Sequence, residues 1–282
     1  MLTYLFMSTY VHLNSTLQKA EEARISPFDH GFLYGDGIYE SLRTVGGQVF
    51  DFESHMQRLR SSAEIMDIPI PWSDDELEKW TEETVQKNAE THHDAPEESR
   101  IRISVTRGEN GFDFCGAKNP TLLITTTPIA NYSKYQNGIP LTAIKMSRTL
   151  PEAKTISLLP SILAKQKVKK ENAFECILVN NDGFIAECST SNIFYCKENV
   201  IFIAPEKEAL PGTMQRIVLE KAKQACYSVQ EKKSTLEDLQ NADEVIITNS
   251  IFGCLPVQKI CEKQIQNCPG ELFEKCKIDF NT

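Results

Sequence analysis

The feature that most constrains this chain is a short turn, Asn181-Asp182-Gly183, between the apolar runs FECILV and FIAEC. An Asp-Gly pair between two strand-like runs is typical of a β-hairpin. The second run carries an acidic residue, Glu187, and continues into the hydroxyl-rich STSN. If the strand alternates regularly, Glu187 shares a face with Ile185 and Ser189. The fold therefore has to contain a hairpin with a carboxylate inside its apolar part.

Further strand and helix patterns surround this hairpin. Strand-like runs are TYVHLN, IYESLRTV, QVFDF, RIRISVTRG, TLLITTTP, IPLTAIKM, NVIFIAP and DEVIITNS, and Gly46-Gly47 predicts a second hairpin turn. Helical spacing occurs in FESHMQRLRSSAEIM, DDELEKWTEETVQKNAE, SLLPSILAKQKVKKENA and GTMQRIVLEKAKQACYS. Mostly antiparallel strand pairs with helices to one side indicate an α+β fold. The polar, aperiodic stretch IANYSKYQNG predicts two domains, 1–127 and 139–282, joined by a linker over 128–138.

The composition narrows the possible partners. The 282 residues carry a net charge of −9 and a pI of about 5.2, which opposes nucleic acid or an anionic membrane as the main partner. No apolar stretch approaches the length of a membrane span and the first residues do not resemble a signal peptide, so a cytoplasmic protein is predicted. Met7 is an alternative start, because the first strand-like stretch follows it.

The nine cysteines lack metal-ligand spacing and are expected to be reduced and mostly buried, so no metal site is predicted.

Lys154 and Glu187 are candidates for catalysis, and each has a simpler interpretation. Lys154 stands in PEAKTISLL just before an apolar run, where a lysine is ordinarily a solvated surface residue. The alternative is a lysine that forms a Schiff base, because its site lowers the pKa of the amine. Glu187 is ordinarily expected on the solvent face of its hairpin. Its alternative role is a carboxylate held in a cleft to pair with a cationic ligand nitrogen.

Arg58 and Gly212 are candidates for binding an anion. Arg58 lies in HMQRLRSSA, off the apolar stripe of the helix, so an exposed helix face is the simpler interpretation. The other interpretation is a guanidinium that forks onto a phosphate. Gly212 is expected as the first residue of the helix in LPGTMQR, and free amides at such a helix start bind phosphate. Ordinary connections between strands and helices use the same glycine, so this junction is weak evidence by itself.

The order of these features is more specific than any one of them. The stretch HGFLYGDGIYESLR comes first, followed by an arginine on the first amphipathic helix, a lysine that opens the second half, a hairpin carrying ECSTSN, and a glycine-led helix. In this order the chain resembles the fold-type IV family of pyridoxal-phosphate enzymes, the class-IV aminotransferases. That family includes branched-chain and D-amino-acid aminotransferases and aminodeoxychorismate lyase. The resemblance runs from about Thr9 to Pro256, most of the chain.

The resemblance implies a two-domain fold with the active site between the domains and a set of cofactor-binding residues. Lys154 would form the Schiff base with pyridoxal 5'-phosphate and move the proton at the substrate α-carbon. Glu187 would keep the pyridine nitrogen protonated, so that the ring accepts electrons. Arg58 would grip the phosphate bidentately. The remaining matches complete the phosphate cup or line the cofactor ring: Thr190, Leu210, Gly212, Thr213, Met214 and Ser250.

The resemblance also implies a small-molecule substrate with amino and carboxylate groups. Tyr34, Tyr39, Arg43 and Arg102 match wall positions of the family's substrate pocket. The two arginines are candidates for binding the substrate carboxylate. A functional homodimer is implied as well, because in this family a loop of one subunit helps to build the site of the other.

The subfamily signals are mixed. Branched-chain enzymes carry a Tyr five positions after the lysine, where this chain has Leu159, and D-amino-acid aminotransferases carry an Arg and a His in the loop that here reads ENGFDFCGA. The stretches ECSTSN and GTMQR and a late Asn before Pro-Val resemble aminodeoxychorismate lyases, although Ser157 replaces their usual Asn. The sequence therefore favours a lyase that converts 4-amino-4-deoxychorismate to 4-aminobenzoate and pyruvate for folate synthesis. The alternatives are a class-IV aminotransferase for D- or branched-chain amino acids and a non-catalytic pyridoxal-phosphate-binding protein.

Overall fold

The computed structural model describes residues 9–91 and 98–280. The alternative start at Met7 and most of the polar loop HHDAPEES lie outside these residues. The described chain forms two compact units.

The first unit contains the described residues up to Ala130 together with a returning segment, Ala153–Ser157. The second unit contains Asn131–Glu152 and Leu158–Phe280. The returning segment includes Lys154, which the predicted domain limits place in 139–282.

The first unit is a six-stranded sheet with three helices. Its elements are β1 (Tyr10–Leu13), β2 (Thr16–Lys19), α1 (His30–Tyr34), β3 (Gly37–Val45), β4 (Gln48–Val49), α2 (Phe52–Ile65), α3 (Asp74–Thr91), β5 (Ser99–Thr106) and β6 (Thr121–Pro128). The strands follow the order β2-β1-β6-β5-β3-β4, and every neighbouring pair is antiparallel. The hairpin predicted at Gly46-Gly47 is confirmed as the turn between β3 and β4.

Alternation along the central strands determines which sheet face meets the helices of this unit. Ile101, Ile103 and Val105 of β5 are fully buried and belong to one apolar cluster with Met56 and Leu59 of α2. The residues between them on β5 stand on the opposite face. That second face carries the polar side chains of the site described below.

The second unit is built on a ten-stranded sheet. Its elements are β7 (Ile139–Lys145), α4 (Leu159–Glu171), β8 (Glu175–Val179), β9 (Phe184–Cys188), β10 (Asn192–Lys197), β11 (Val200–Ile203), α5 (Thr213–Gln224), β12 (Ser228–Glu231), β13 (Ser234–Thr235), α6 (Leu236–Gln240), β14 (Glu244–Asn249), β15 (Gly253–Ile260), β16 (Lys263–Gln264) and α7 (Glu271–Cys276). The order is β12-β11-β10-β14-β15-β7-β8-β9-β13, with β16 paired to β15. The pairs of β7 with β15, β7 with β8 and β11 with β12 are parallel, and the others are antiparallel.

The predicted α+β class is confirmed, and the opening hairpin is the antiparallel pair β8–β9. Helix α5 begins at Thr213, so Gly212 is its N-cap rather than its first residue. All nine cysteines lie in the described part of the chain, and all are free thiols. Within residues 9–91 and 98–280, none of the helices combines the length and the apolar composition of a membrane span.

Candidate active site

A buried ion pair between Arg58 and Glu40 lies between α2 and β3 in the first unit. Glu40 faces the core because it alternates with Tyr39 and Ser41 along β3, and it is fully buried. Arg58 Nε and Nη2 donate to different oxygens of this carboxylate, each at 2.7 Å, and His55 Nδ1 lies 2.7 Å from Glu40 Oε2. The expectation of an exposed Arg58 is therefore wrong.

The ion pair stabilises the charged forms of both Glu40 and Arg58. Burial opposes the ionisation of Glu40, but the charge of Arg58 and the hydrogen bonds from Arg58 and His55 outweigh it and hold the pKa of Glu40 well below its usual range. Burial also opposes the charge of Arg58, yet the Glu40 carboxylate raises the pKa of the guanidinium. Because Glu40 already accepts from Nε and Nη2, the bidentate role of Arg58 on a phosphate stays a prediction.

Lys154 is held by backbone contacts beside the start of β3. Its amide donates to Ser62 Oγ at 3.0 Å, and its carbonyl accepts from the amide of Tyr39 at 2.9 Å. Ile156 N donates to the carbonyl of Gly37 at 2.9 Å, so the returning segment runs along the strand. The Lys154 side chain is only partly exposed. Lys154 is therefore a partly covered lysine, and its Schiff-base role stays a prediction.

Two cations meet on the ring of Tyr39. Lys154 Nζ lies 4.7 Å and Arg102 Cζ 3.9 Å from the ring centroid. Tyr39 and Arg102 share the polar face of the sheet because β3 and β5 pair with Tyr39 opposite Ser104 and Ser41 opposite Arg102. Arg102 Nε also donates to Ser104 Oγ at 3.1 Å. The structure thus places one amine and one guanidinium on the same aromatic side chain.

The other two predicted substrate residues, Arg43 and Tyr34, have different surroundings. Arg43 is buried near the end of β3, where its Nη2 lies 3.8 Å from Glu98 and its Nε donates to the Thr44 carbonyl at 3.1 Å. Tyr34 ends α1 and packs edge-on against His30, with the ring centroids 5.0 Å apart. Since Arg43 has a carboxylate partner of its own, its contact with a substrate carboxylate stays a prediction.

Glu187 is buried beside an irregular point in the β8–β9 hairpin. Val179 lies opposite Ile185 and Ile177 lies opposite Cys188, so β9 has one more residue than β8 between these pairs. Such a β-bulge changes the direction of a side chain relative to regular alternation. Glu187 is only 5 % exposed, and the expectation of a solvent-facing carboxylate is therefore wrong.

Arg148 is the partner of Glu187 that sequence reasoning missed. Its Nη1 lies 2.9 Å from Glu187 Oε1, and the two side chains are 16 % and 7 % exposed. The amide of Leu210 lies 3.5 Å from the other oxygen, Oε2. A cavity of about 270 Å³, whose wall includes this ion pair together with Asn180 and Asp182, opens beside it. Glu187 is thus held at both oxygens while solvent has room to approach the pair.

The start of α5 has no capping side chain among the described residues. Gly212 is its N-cap, and Thr213 and Met214 are its first two residues. Thr213 Oγ1 lies 3.2 Å from Ser250 Oγ, and both side chains are buried. Amides without an intrahelical partner and the positive end of the helix dipole attract anions. We call these four predicted residues, Gly212, Thr213, Met214 and Ser250, the phosphate cradle, and the binding of a phosphate there stays a prediction.

Leu210 connects this phosphate cradle with Glu187. A Cβ at Gly212 would lie 2.0 Å from Asn192 Oδ1, so the approach of these two residues requires glycine. Asn192 Nδ2 donates to the Leu210 carbonyl at 2.7 Å, and the Leu210 amide faces Glu187. The segment leading into α5 therefore joins a buried carboxylate to the start of this helix within the second unit.

The hydroxyl run after Glu187 is explained by a second carboxylate, Glu175. Thr190 Oγ1 and the Thr190 amide donate to Glu175 Oε2 at 2.5 and 3.1 Å, and Ser189 Oγ donates to Oε1. Ser191 Oγ lies 3.4 Å from Oε2. Because its hydroxyl is engaged by Glu175, the place of Thr190 near a cofactor stays a prediction. The acidic residue within the apolar run FECILV is the sequence signal by which this network could have been found.

Comparisons with known proteins agree with this architecture. The profile of the family described as Amino-transferase class IV matches residues 37–260. The chain is 32% identical over 279 residues to a putative branched-chain-amino-acid aminotransferase of Methanocaldococcus jannaschii, covering 96% of this chain and 94% of that protein. It is 31% identical over 268 residues to a D-alanine aminotransferase of Bacillus licheniformis, covering 93% and 92%. A branched-chain amino acid aminotransferase from T.th., complexed with N-(5'-phosphopyridoxyl)-L-glutamate, has the same fold, with a TM-score of 0.82, 24% identity and coverage of 92% and 88%.

Proposed function

Since the chain belongs to the class-IV aminotransferase family, we propose that it is a pyridoxal-phosphate-dependent aminotransferase that acts on an amino acid. Enzymes of this family depend on pyridoxal phosphate. The observation that carries the proposal lies in the second unit, where Leu210 joins the buried Glu187 to the start of α5. A carboxylate next to an anion cradle fits the ring nitrogen and the phosphate of this cofactor.

The residues of the second unit would bind the two polar ends of the cofactor. When bound, pyridoxal phosphate supplies an electron-accepting ring that makes the α-proton of an amino acid removable. Glu187 would hold a proton at the pyridine nitrogen, because an adjacent carboxylate stabilises the cationic form. The phosphate cradle binds the phosphate through the amides of Thr213 and Met214 and the Ser250 hydroxyl. Arg58, in the first unit, would supply a permanent cation suited to a phosphate.

Lys154 takes the roles that need an amine. Its Nζ would hold the cofactor at its aldehyde carbon and would move the proton at the substrate α-carbon. Its contact with the Tyr39 ring orients Nζ. Arg102 lies on the same ring and donates through Nε to Ser104, and its guanidinium would bind a substrate carboxylate.

The subfamily signals in the sequence favour a lyase, but the two relatives above are named as aminotransferases and do not support that choice. One of its signals also has a structural explanation. The hydroxyls of ECSTSN, at Ser189, Thr190 and Ser191, contact Glu175, so this stretch has a structural role in the hairpin. The relatives act, by their names, on branched-chain amino acids and D-alanine, and we propose a substrate from these two classes.

We also infer a homodimer that works in a reducing compartment such as the cytoplasm. In the first unit Phe28, Phe32 and Phe112 are 68, 78 and 91 % exposed, which is unusual for large aromatic side chains of a soluble monomer. A second copy of the chain would cover such side chains. Nine free thiols suit a reducing compartment. Light scattering that reports a single chain of 31.9 kDa at working concentrations would contradict the dimer.

The cofactor assignment is tested on the purified protein. We expect a yellow protein whose visible absorbance is lost on borohydride treatment, with the reduced cofactor found by peptide mapping on Lys154. Lys154→Ala should fold with an unchanged circular dichroism spectrum and remain unlabelled. A protein that stays colourless when pyridoxal phosphate is added would overturn the proposal.

The substrate assignment needs a panel of D- and L-amino acids, each with 2-oxoglutarate as the amino acceptor. We expect glutamate formation with D-alanine or with branched-chain L-amino acids, and none with Lys154→Ala. A parallel reaction contains 4-amino-4-deoxychorismate without any acceptor. Release of 4-aminobenzoate and pyruvate there, with no transamination in the panel, would replace the aminotransferase by the lyase.

A further inference from the structure

We propose that Glu175 is a positioning residue for the phosphate cradle, holding Ser250 in place through the loop Ser189–Ser191 and Asn249. The inference rests on the proposed function, because it assigns the phosphate of pyridoxal phosphate as the ligand of the cradle. It goes beyond that function by giving a task to a buried carboxylate that touches neither substrate nor cofactor in the proposal.

Glu175 is fully buried at the start of β8, and the protein surrounds it with donors. Its Oε1 accepts from the Cys176 amide at 2.9 Å and lies 3.0 Å from Lys165 Nζ, and Ser189 Oγ also donates to it. Its Oε2 accepts both bonds from Thr190. An ionised carboxylate accepts at every one of these contacts and donates at none, so the carboxylate is suited to this position.

The loop held by Glu175 is connected to Asn249 at the end of β14. Asn249 Nδ2 donates to the Thr190 carbonyl at 3.3 Å. Asn249 Oδ1 accepts from the amides of Ile251 and Phe252 at 2.9 and 3.0 Å. Ser250 lies between Asn249 and these two amides in the chain. The side chain of Asn249 therefore fixes the turn that carries Ser250.

Ser250 is the last member of this chain of contacts. Its hydroxyl lies 3.2 Å from Thr213 Oγ1 at the start of α5. A hydroxyl contributes to phosphate binding only if its oxygen is held within hydrogen-bond distance of the anion. Loss of the Glu175 carboxylate would loosen the loop at Thr190, free Asn249 to rotate, and displace the Ser250 hydroxyl.

Glu175→Gln tests this, because an amide NH2 would face the hydroxyl and amide donors that now meet an oxygen. The measurement is the dissociation constant of the apoprotein for pyridoxal phosphate and for pyridoxal, which lacks the phosphate. We expect Glu175→Gln to weaken pyridoxal phosphate binding roughly tenfold or more while pyridoxal binding changes less than about twofold. Inorganic phosphate should also compete less well for the variant than for the wild-type apoprotein.

Glu244→Gln is the matched control. Glu244 is likewise a buried carboxylate of the second unit, and it accepts from the amides of Leu272 and Phe273 at 2.9 and 3.1 Å. A purely structural effect of losing a buried carboxylate should appear in both variants and weaken both ligands alike. Equal losses for pyridoxal phosphate and pyridoxal in Glu175→Gln, or no loss at all, would overturn the proposal.

Asn249→Ala keeps the inference testable if Glu175→Gln does not fold. It leaves the Glu175 contacts intact and removes only the connection to the Ser250 turn. We expect the same selective loss of pyridoxal phosphate over pyridoxal, and unchanged selectivity would count against the inference. Failure of the proposed function is distinct, because in that case the wild-type protein itself would not bind the cofactor at Lys154.

Discussion

Arg148 Nη1 donates a hydrogen bond of 2.9 Å to Glu187 Oε1 within the second unit. Removing this guanidinium would leave a nearly buried carboxylate with one of its charge-assisted bonds missing, which costs about 1–3 kcal/mol. We therefore expect Arg148→Ala to lower the free energy of unfolding of the apoprotein by about that amount in urea titrations. Arg148→Lys should recover part of the loss. An unchanged unfolding midpoint in Arg148→Ala would show that the ion pair contributes nothing to stability.

Glu187→Gln should separate turnover from cofactor binding. The neutral amide no longer favours a protonated pyridine nitrogen, so the ring withdraws electrons less well, whereas the phosphate contacts remain. We expect turnover to fall roughly 100-fold and the affinity for pyridoxal phosphate to fall less than about tenfold. Steady-state rates and absorbance titrations measure the two effects. Wild-type turnover in this variant would refute the assigned role.

Glu40→Gln should change the pH dependence of stability. Burial alone would raise the pKa of Glu40, but the charge of Arg58 and the hydrogen bonds depress it in the folded state. When the pKa of a carboxyl is lower in the folded than in the unfolded state, its ionisation stabilises the fold. This stabilisation is complete above the pKa of the unfolded state, roughly 4.3, and is lost as the pH falls towards the pKa of the folded state.

We expect Glu40→Gln to be about 3 kcal/mol less stable than the wild type at pH 7, because Arg58 is left as a buried charge without its carboxylate. The difference should shrink below roughly pH 4.3, as measured by urea unfolding at a series of pH values. A difference that stays constant from pH 7 to pH 3 would contradict the role of the Glu40 charge.

Arg102→Leu should weaken the binding of the amino-acid substrate. Loss of a charge-assisted contact with a carboxylate predicts a KM about tenfold or more higher, with little change in the affinity for pyridoxal phosphate. Arg100 is the matched control, because it shares the sheet face with Arg102 but is exposed, opposite Arg43. The assignment fails if Arg100→Leu raises KM as much as Arg102→Leu does.

The thiols of the nine cysteines should react at different rates, depending on their burial. Cys115 and Cys226 are exposed, whereas burial raises the pKa of Cys176 to about 12 and that of Cys254 and Cys276 to about 11. We expect two thiols to react rapidly with a chromogenic disulfide reagent at pH 8, and all nine to react after denaturation. Cys115→Ser should leave one rapid thiol, and two or more rapid thiols in this folded variant would contradict the protection of the buried and partly buried cysteines.

The elements of this fold were predictable because their signals are local. The turn at Asp182-Gly183, the helix α2 and the alternation of β5 depend on residues that are near one another in the chain. The order of Arg58, Lys154 and Gly212 along the chain, although no single residue was specific, was enough to indicate the family. The predicted helix began one residue before α5, at its N-cap Gly212, and ran to Ser228, four residues past the end of α5 at Gln224.

The surroundings of each charge were decided by tertiary structure. Arg58 and Glu187 look like exposed residues when each is judged from its own helix or strand. Each is buried because a partner far along the chain neutralises it, Glu40 at a separation of 18 residues and Arg148 at 39. A β-bulge in β9 also interrupts the alternation beside Glu187, and no pattern of alternation reports such an insertion.

The stretch ECSTSN shows the same division between sequence and tertiary structure. Sequence by itself determined that a β-hairpin carries a carboxylate and three hydroxyls, because turn chemistry and side-chain type are properties of the local chain. Only tertiary structure decided that Glu187 pairs with Arg148 while the hydroxyls turn to Glu175, which lies on the opposite strand of the hairpin. The physical reason is that a buried charge or hydroxyl must find a partner, and which partner is in reach depends on strand register and packing rather than on neighbouring residues.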